Sequence, residues 1–355
     1  MSGIAAMVDG HGVLVCCGAG GVGKTTTAAA LGVAAALRGR VACVVTVDPA
    51  RRLADSLGES QVKDDPVEIT GPWPGQLFAV MLDAKTTFDA LVERYSSDPS
   101  QAQRILDNPI YANLASVLSG TQEYMATEKL FELHEEGSYD LVVVDTPPTR
   151  HALDFLDAPH RLESFLDNRI FRALIAPTGS YLRAAHAASQ LLVRSIARVT
   201  GAEIVDDTIA FFQAFQGMEK GFRDRAARVD ALLSEDTTGF VLVAAPRADA
   251  IGDASWFATE LSRRHQRIAA LIVNRVHPDF GPPVRDSLAK SNGGRAWAAL
   301  TENLTELGQV ARREQASYSE LAAALAPAPT VGVPLFDSDV HDVEGLLGVV
   351  RHLLD

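Results

Sequence analysis

Residues 18–25 combine glycines with a lysine and a threonine at the spacing of a phosphate-binding loop, in the order Gly18-Ala19-Gly20-Gly21-Val22-Gly23-Lys24-Thr25. Glycines let backbone N–H groups turn toward an anion without a Cβ clash, and the N-terminus of a following helix adds partial positive charge. Lys24 is placed to reach the β- and γ-phosphates of a nucleotide, and the Thr25 hydroxyl to ligate Mg²⁺. We therefore expect residues 18–25 and Thr26 to bind ATP with magnesium, and Lys24 to take part in catalysis.

The elements that must position this loop are a strand before it and a helix after it. Residues 12–17 form a short apolar run typical of a buried strand, and the alanine-rich residues 25–39 predict a helix. Strands that alternate with helices in this way predict a doubly wound, mainly parallel sheet buried on both faces. The expected fold is α/β, of the P-loop NTPase class, in a single domain spanning residues 1–355. The other predicted strands are 41–48, 77–83, 139–145, 239–246, 269–276 and 330–336.

Two stretches, at about 86–136 and 159–233, are longer than simple crossovers between strands need, and both read as helical. We predict that they form a helical subdomain inserted into the α/β domain. The second stretch contains an apolar stripe with two interpretations. It either forms a groove for an apolar client helix or packs inside the subdomain. The stripe consists of Phe211, Phe215, Met218 and Phe222.

Polar residues end several predicted strands, at the sheet edge where active sites of this fold lie. Asp48 is expected to orient or deprotonate the attacking water or to hold Mg²⁺ through water; the alternative is an Asp-Pro turn that only ends a strand. Asp145 closes an apolar run as a Walker B aspartate does, which predicts a role in organising Mg²⁺. Asn274 presents both a donor and an acceptor suited to an adenine edge, and the residues from Pro334 to Asp337, Phe336 among them, are expected to flank the base.

Three basic side chains lie near these predicted strand ends. Arg51 and Arg52 follow Asp48, where one of them would approach phosphate or both would be exposed arginines at a helix start. His151 is placed in a loop predicted after Asp145. We interpret it as structural, because a loop histidine more often has a structural role than a catalytic one.

The composition argues against several functional classes. A formal net charge of −13 disfavours nucleic-acid binding and adhesion to anionic membranes. The first residues lack the basic start and long apolar run of a signal peptide, and no run reaches the roughly 18 apolar residues of a membrane span. Cys16, Cys17 and Cys43 lie in predicted core strands and are interpreted as buried free thiols. We expect a cytoplasmic protein that is not integral to the membrane.

Five segments taken together resemble the arsenical-pump ATPase family, which includes the guided-entry ATPases that target tail-anchored membrane proteins. They are GAGGVGKTT, VDPARRLADSLG, VVVDTPPTRHALDFL, VNRV and VGVPLF. The resemblance implies a nucleotide-sandwich dimer that closes on ATP and opens after hydrolysis. It also implies that Asp48 acts on the attacking water, that Thr25 binds Mg²⁺, and that Asp145 lies near the metal within a second switch. It places Asn274 and the loop at Pro334 around adenine.

The chain departs from this family at three places. The family's signature lysine, which typically reaches the partner subunit's phosphates, is replaced by Ala19. The C-x-x-C pair that holds zinc in targeting members is missing after Asn274, and the cysteines are not arranged as in metalloid pumps, so we expect neither zinc nor metalloid. Two functional hypotheses follow. The first is a homodimeric ATPase that gates a helical client surface, with Arg51 or Arg52 replacing the lysine. The second is a regulatory subunit of a heterodimer with a lysine-bearing paralogue, with little turnover alone.

Overall fold

The structure is a computed structural model, and it describes residues 3–47, 52–57, 64–109, 111, 121–147, 149–169, 207, 210–281 and 294–355. At residues 52, 121, 149–151 and 294–298 it describes the backbone but not the side chains. Its strands are β1 (Val13–Cys17), β2 (Val41–Thr46), β3 (Val67–Ile69), β4 (Gln76–Met81), β5 (Leu141–Asp145), β6 (Thr238–Ala244), β7 (Ile268–Val276) and β8 (Thr330–Pro334). Its helices are α1 (Gly3–Gly10), α2 (Lys24–Leu37), α3 (Arg52–Leu57), α4 (Ala84–Tyr95), α5 (Pro99–Leu106), α6 (Thr121–Glu135), α7 (Thr149–Asp167), α8 (Glu219–Leu233), α9 (Ala248–Arg263), α10 (Gly294–Ala324) and α11 (Val343–Leu354).

The strands form an eight-stranded sheet in the order β3-β4-β2-β5-β1-β6-β7-β8. Every neighbouring pair is parallel except β3 with β4. The predicted α/β fold with a mainly parallel sheet is therefore confirmed. The antiparallel edge strand β3 was not predicted, because three residues at a sheet edge carry too little periodicity to recognise.

The central strands are buried along their whole length, as their continuous apolar sequences predict. All residues of β1, β5 and β6 are buried, including Asp145 at the end of β5. Helix α2 packs closely on this sheet because its side chains are small: a Cβ on Gly32 would lie 2.4 Å from Val44 Cγ2 in β2. This close contact fixes the helix whose first residue is Lys24.

The chain divides into two compact units. A sheet unit comprises Met1–Met81, Glu132–Ala152 and Ser234–Asp355, and a helical unit comprises Leu82–Phe131 and Leu153–Leu233. The assignment of both to one P-loop domain with helical insertions stays a prediction. In the described part of the chain, no helix combines the length and apolar character that crossing a bilayer requires.

The apolar stripe of the second insertion packs inside the helical unit. Phe211, Met218 and Phe222 are buried, and Phe215 is half-buried. The Phe211 and Phe215 ring centroids lie 4.9 Å apart, and Phe222 lies 5.2 Å from the ring of Tyr95. Of the two interpretations of the stripe, the structure supports the packed interior and corrects the open groove, because mutual aromatic contacts cover these side chains.

A buried ion pair lies in the same unit. Arg225 Nε donates to Glu128 Oε2 at 2.7 Å, and both side chains are 1% exposed. The guanidinium carbon of Arg225 also lies 4.1 Å from the ring centroid of Phe131, and Tyr124 donates its hydroxyl proton to the other carboxylate oxygen. Hydrogen bonds and ring contact thus compensate two charges that burial would otherwise disfavour.

Candidate functional site

The glycine-rich loop connects β1 to α2 in a conformation that requires its glycines. Gly21 and Gly23 have φ angles of +75° and +94°, in the left-handed region that glycine adopts without steric cost. A Cβ on Gly18 would lie 2.1 Å from the carbonyl oxygen of Val243, so this position tolerates no side chain. Gly23 is the N-cap of α2 and has no side chain of its own to cap the helix. The helix dipole at this end favours an anion.

Lys24 is the first residue of α2 and lies over the loop. Its side chain is largely buried, and Nζ donates to the carbonyl oxygen of Ala19 at 2.9 Å. The loop's own backbone therefore holds the ammonium group at the phosphate-binding position, where its charge is poorly screened by water.

Thr25 and Asp145 meet at the carboxyl edge of the sheet. Thr25 Oγ1 donates to Asp145 Oδ2 at 2.7 Å, and Thr46 Oγ1 at the end of β2 donates to the same oxygen at 2.9 Å. Strand register brings Thr46 to Asp145, because the two residues are directly opposite each other in the β2–β5 pair. The sequence pattern does not indicate a site role for Thr46, since a single threonine in an apolar strand is usually a core residue.

This group of oxygens suits magnesium. Mg²⁺ prefers hard oxygen ligands and is usually held by one or two protein groups together with substrate phosphates. A hydroxyl on the first turn of α2 and a buried carboxylate one hydrogen bond away provide such a set. Thr25 and Asp145 are thus the described residues that would hold the ion.

Asn274 binds the loop from β7. Its Nδ2 donates to the carbonyl oxygen of Val22 at 2.9 Å, and its Oδ1 accepts from the backbone N–H of Arg275 at 2.9 Å. A Cβ on Gly23 would lie 2.1 Å from this Nδ2, so the glycine makes room for the amide. The predicted contact of Asn274 with adenine stays a prediction, and the structure adds a loop-holding contact that the sequence did not indicate.

A cleft of about 520 Å³ opens over the loop, within the size range of small-ligand sites. Its lining includes the predicted residues Asn274, Pro334 and Phe336, together with Gly20, Gly21, Gly23, Lys24, Thr25, Thr26 and Asp145. Gly18, Ala19 and Val22 belong to the loop but not to this lining; Gly18 and Val22 are buried behind it. Asp55 and Ser56 of α3 and Arg275 of β7 also line the cleft, and the sequence pattern does not indicate a site role for any of the three.

The segment after Asp145 begins in a fixed position. Thr146 is buried, and its hydroxyl and its backbone N–H donate to the carbonyl oxygen of Cys16 at 2.7 Å and 3.3 Å. The proposed second switch therefore starts from a residue that is hydrogen-bonded to β1, the strand before the phosphate-binding loop.

Asp48 and Arg51 lie outside the described residues, as do the side chains of Arg52 and His151, and their assigned roles stay predictions.

The three cysteines are buried free thiols, as predicted. Cys16 and Cys17 lie in β1 and Cys43 in β2. Burial raises the pKa of Cys17 to about 12 and the pKa of Cys16 well above its ordinary value. Thiolate chemistry at these positions is therefore strongly disfavoured near neutral pH.

Comparison with known proteins gives a consistent result. The family model described as anion-transporting ATPase matches residues 11–282. Relatives include "Putative arsenical pump-driving ATPase 1" of Aquifex aeolicus, 23% identical over 345 residues that cover 94% of this chain and 76% of that protein. ATPase GET3B of Arabidopsis thaliana is 27% identical over 74% of this chain and 63% of its own length. ATPase GET3 of Malassezia globosa is 31% identical over 43% of this chain, in an alignment that spans less than half, 44%, of that protein.

The matched range contains the loop, the Thr25–Asp145 contact and Asn274, so the family match and the site geometry concern the same residues. The resemblance read from the five sequence segments is confirmed, and ATPase activity is supported by the family and by the relatives' names. The chain belongs to the anion-transporting ATPase family.

Proposed function

We propose that this protein binds Mg·ATP in the cleft over residues 18–25 and hydrolyses its terminal phosphoanhydride bond. The observation that supports this most strongly is the arrangement of Lys24, Thr25 and Asp145 at the N-terminus of α2. Lys24 provides positive charge for the phosphates, and Thr25 and Asp145 hold Mg²⁺. The bound ion would neutralise charge that develops on the phosphate oxygens. Asp48, two residues after the Thr46 that contacts Asp145, is proposed to orient the attacking water.

We further propose that the protein acts as a cytoplasmic dimer whose nucleotide state controls a helical surface for a partner or client. This proposal is supported by the short chain segment that runs from Asp145 through Thr146 to the start of α7 at Thr149. A displacement of Asp145 at the metal would act on this segment and so on the helix that follows it. The surface does not consist of the stripe at residues 211–222, because that stripe is packed. Its place within the helical insertions is inferred from the family resemblance.

The second candidate function is a regulatory subunit of a heterodimer. Ala19 favours it, because the position carries no charge and its side chain packs against the core of the sheet unit. An arginine finger, a comparable cation supplied to a transferring phosphoryl group, is worth about 10³ to 10⁵ in rate. A lysine-bearing paralogue would supply that charge to the nucleotide held by this chain.

The ATPase proposal is tested by measuring Mg-dependent ATP binding and turnover of purified protein. Lys24→Ala is expected to reduce turnover by on the order of 10²-fold or more, since removing one electrostatic contact to a transition state has this effect. Lys220→Ala, which removes an exposed lysine on α8, is the matched control and leaves turnover unchanged. Wild-type protein that binds no Mg·nucleotide would refute the proposal.

Turnover of the chain alone, compared with turnover after addition of a lysine-bearing paralogue, separates the two functions. A homodimeric enzyme turns over equally in both cases, whereas the regulatory subunit is strongly stimulated by the paralogue. Ala19→Lys is a second, independent comparison. A gain in turnover indicates that the absent charge limits hydrolysis, and no gain rules against the heterodimer hypothesis.

A further inference from the structure

Arg275 occupies an irregular position at the end of β7. The pairing of β7 with β8 shifts register between Asn274 and Val276, which leaves Arg275 as the extra residue. Its φ angle is +63°, in the left-handed region that residues other than glycine, asparagine and aspartate adopt rarely and at a cost. Bulges of this kind redirect a side chain, often beside an active site.

The redirected side chain reaches the phosphate-binding loop. Arg275 Nη1 donates to the carbonyl oxygen of Gly21 at 3.3 Å, and the residue lines the same cleft as Lys24. Lys24 and Arg275 are the basic residues among those that line this cleft in the described chain, where Asp55, Asp145 and Asp339 contribute carboxylates. Arg275 is exposed, so part of its guanidinium is open to a ligand above the loop. The Gly21 contact occupies a single N–H group of a side chain that has five.

We propose that Arg275 binds the nucleotide phosphates from the same chain and supplies the positive charge that Ala19 does not. The proposal rests on the function proposed above, namely nucleotide binding at residues 18–25. A guanidinium is suited to this role because it is always charged and presents planar, paired donors to phosphate oxygens. The strained bulge then has a physical explanation, since it directs this side chain to the loop instead of along the strand.

The alternative is that Arg275 only supports the loop through Gly21. Three variants separate these roles. Arg275→Lys keeps a charge, Arg275→Asn tolerates the left-handed conformation without charge, and Arg275→Gly removes the side chain and relieves the backbone strain. Arg247→Ala is the control, because this exposed arginine follows β6 at the same edge of the sheet but does not line the cleft.

The proposal predicts that Arg275→Asn and Arg275→Gly lower kcat by about 10²-fold, as loss of a transition-state donor does, with a smaller change in KM. It predicts that Arg275→Lys keeps part of the activity and that added guanidinium ion partly restores turnover to Arg275→Gly. Melting temperatures should stay equal or rise, because glycine and asparagine accept the backbone conformation. A supporting residue would instead lower the melting temperature and show no rescue by lysine or by guanidinium.

The affinity for a non-hydrolysable ATP analogue with Mg²⁺ is measured on the same variants, so the test does not depend on turnover of the chain alone. It is expected to fall about tenfold in Arg275→Asn. Mixing Arg275→Asn with Lys24→Ala protein tests whether the arginine acts within its own chain, and recovered turnover in the mixture would overturn that part of the proposal. Unchanged kcat and affinity in Arg275→Gly would overturn all of it. Wild-type protein that fails to bind the analogue refutes the proposed function instead, so the two failures are distinguishable.

Discussion

The side-chain amide of Asn274 donates a 2.9 Å hydrogen bond to the carbonyl oxygen of Val22, which joins the end of β7 to the phosphate-binding loop across 252 residues of sequence. The loop's shape therefore depends on a strand two places away from β1 in the sheet. Nucleotide affinity should respond to this bond even where the loop residues themselves are unchanged.

Substitution of Asn274 by alanine is expected to weaken Mg·ATP binding about fivefold, because loss of one hydrogen bond of about 1 kcal/mol leaves the loop less ordered. Titration with a fluorescent nucleotide measures this. Asn108→Ala is the matched control, since Asn108 Nδ2 makes a similar 3.0 Å bond to the carbonyl oxygen of Asp207 in the helical unit. It should affect stability but not affinity. Equal affinities in both variants would contradict the loop-holding role.

The Asp145→Asn variant is expected to lose magnesium-dependent turnover by about 10²-fold or more, because a neutral amide replaces the carboxylate that would hold the ion. The Mg²⁺ concentration for half-maximal turnover should rise in parallel. Asp140→Asn serves as control: this aspartate lies just before the opposite end of β5 and accepts from the backbone N–H of Val41. Turnover of Asp145→Asn at the wild-type level would show that Asp145 is not a metal residue.

The three thiols should resist alkylation in the folded protein. Burial raises the pKa of Cys17 to about 12, so its thiolate fraction at pH 8 is negligible, and all three thiols are shielded from reagent. Iodoacetamide labelling followed by mass spectrometry should detect modification only after denaturant is added. Rapid labelling of native protein would contradict the buried assignment.

Cys16 and Cys17 give the free energy of unfolding a definite dependence on pH. The folded protein keeps protons that the unfolded chain releases once pH exceeds the ordinary thiol pKa of 9.0. Because the folded state then binds more protons, the free energy of unfolding falls as pH rises from about 9 toward 12. Urea denaturation at several pH values measures this slope, and Cys16→Ala/Cys17→Ala should flatten it.

Replacing Arg225 by methionine is expected to destabilise the protein by about 3–5 kcal/mol, since the Glu128 carboxylate would remain buried without its partner. Urea denaturation reports the loss. Arg223→Met is the control, because the Arg223–Asp167 pair is 40% and 49% exposed and should contribute less than about 1 kcal/mol. Replacing Arg225 and Glu128 together by apolar residues should recover much of the loss. No difference between the two arginine variants would refute a stabilising buried pair.

Much of the fold was predictable because its signals are local. Continuous apolar runs identified β1, β2 and β4 to β8, and the glycine-lysine-threonine spacing identified the start of α2. The short strand β3 and the 31-residue helix α10 were not recognised. The edge strand is too short for a period, and the helix carries many exposed polar positions that give no continuous apolar stripe.

The candidate site was predictable residue by residue, though not as an assembly. The types and positions of Lys24, Thr25, Asp145 and Asn274 marked them as candidates. Their contacts depend on strand order and register, which place residues more than a hundred positions apart within one hydrogen bond. Thr46 and Arg275 were overlooked for this reason, because neither residue type is unusual where it stands.

The residue pattern alone was sufficient to predict a phosphate-binding loop with an uncharged alanine at position 19 and a mainly parallel α/β sheet, since the signals for both are local in the sequence. Only tertiary packing showed that the apolar stripe is interior, that Asn274 holds the loop, and that a bulge directs Arg275 toward Gly21. The physical reason is that burial and hydrogen bonding are properties of surfaces brought together by folding, and a linear pattern does not specify which surfaces meet.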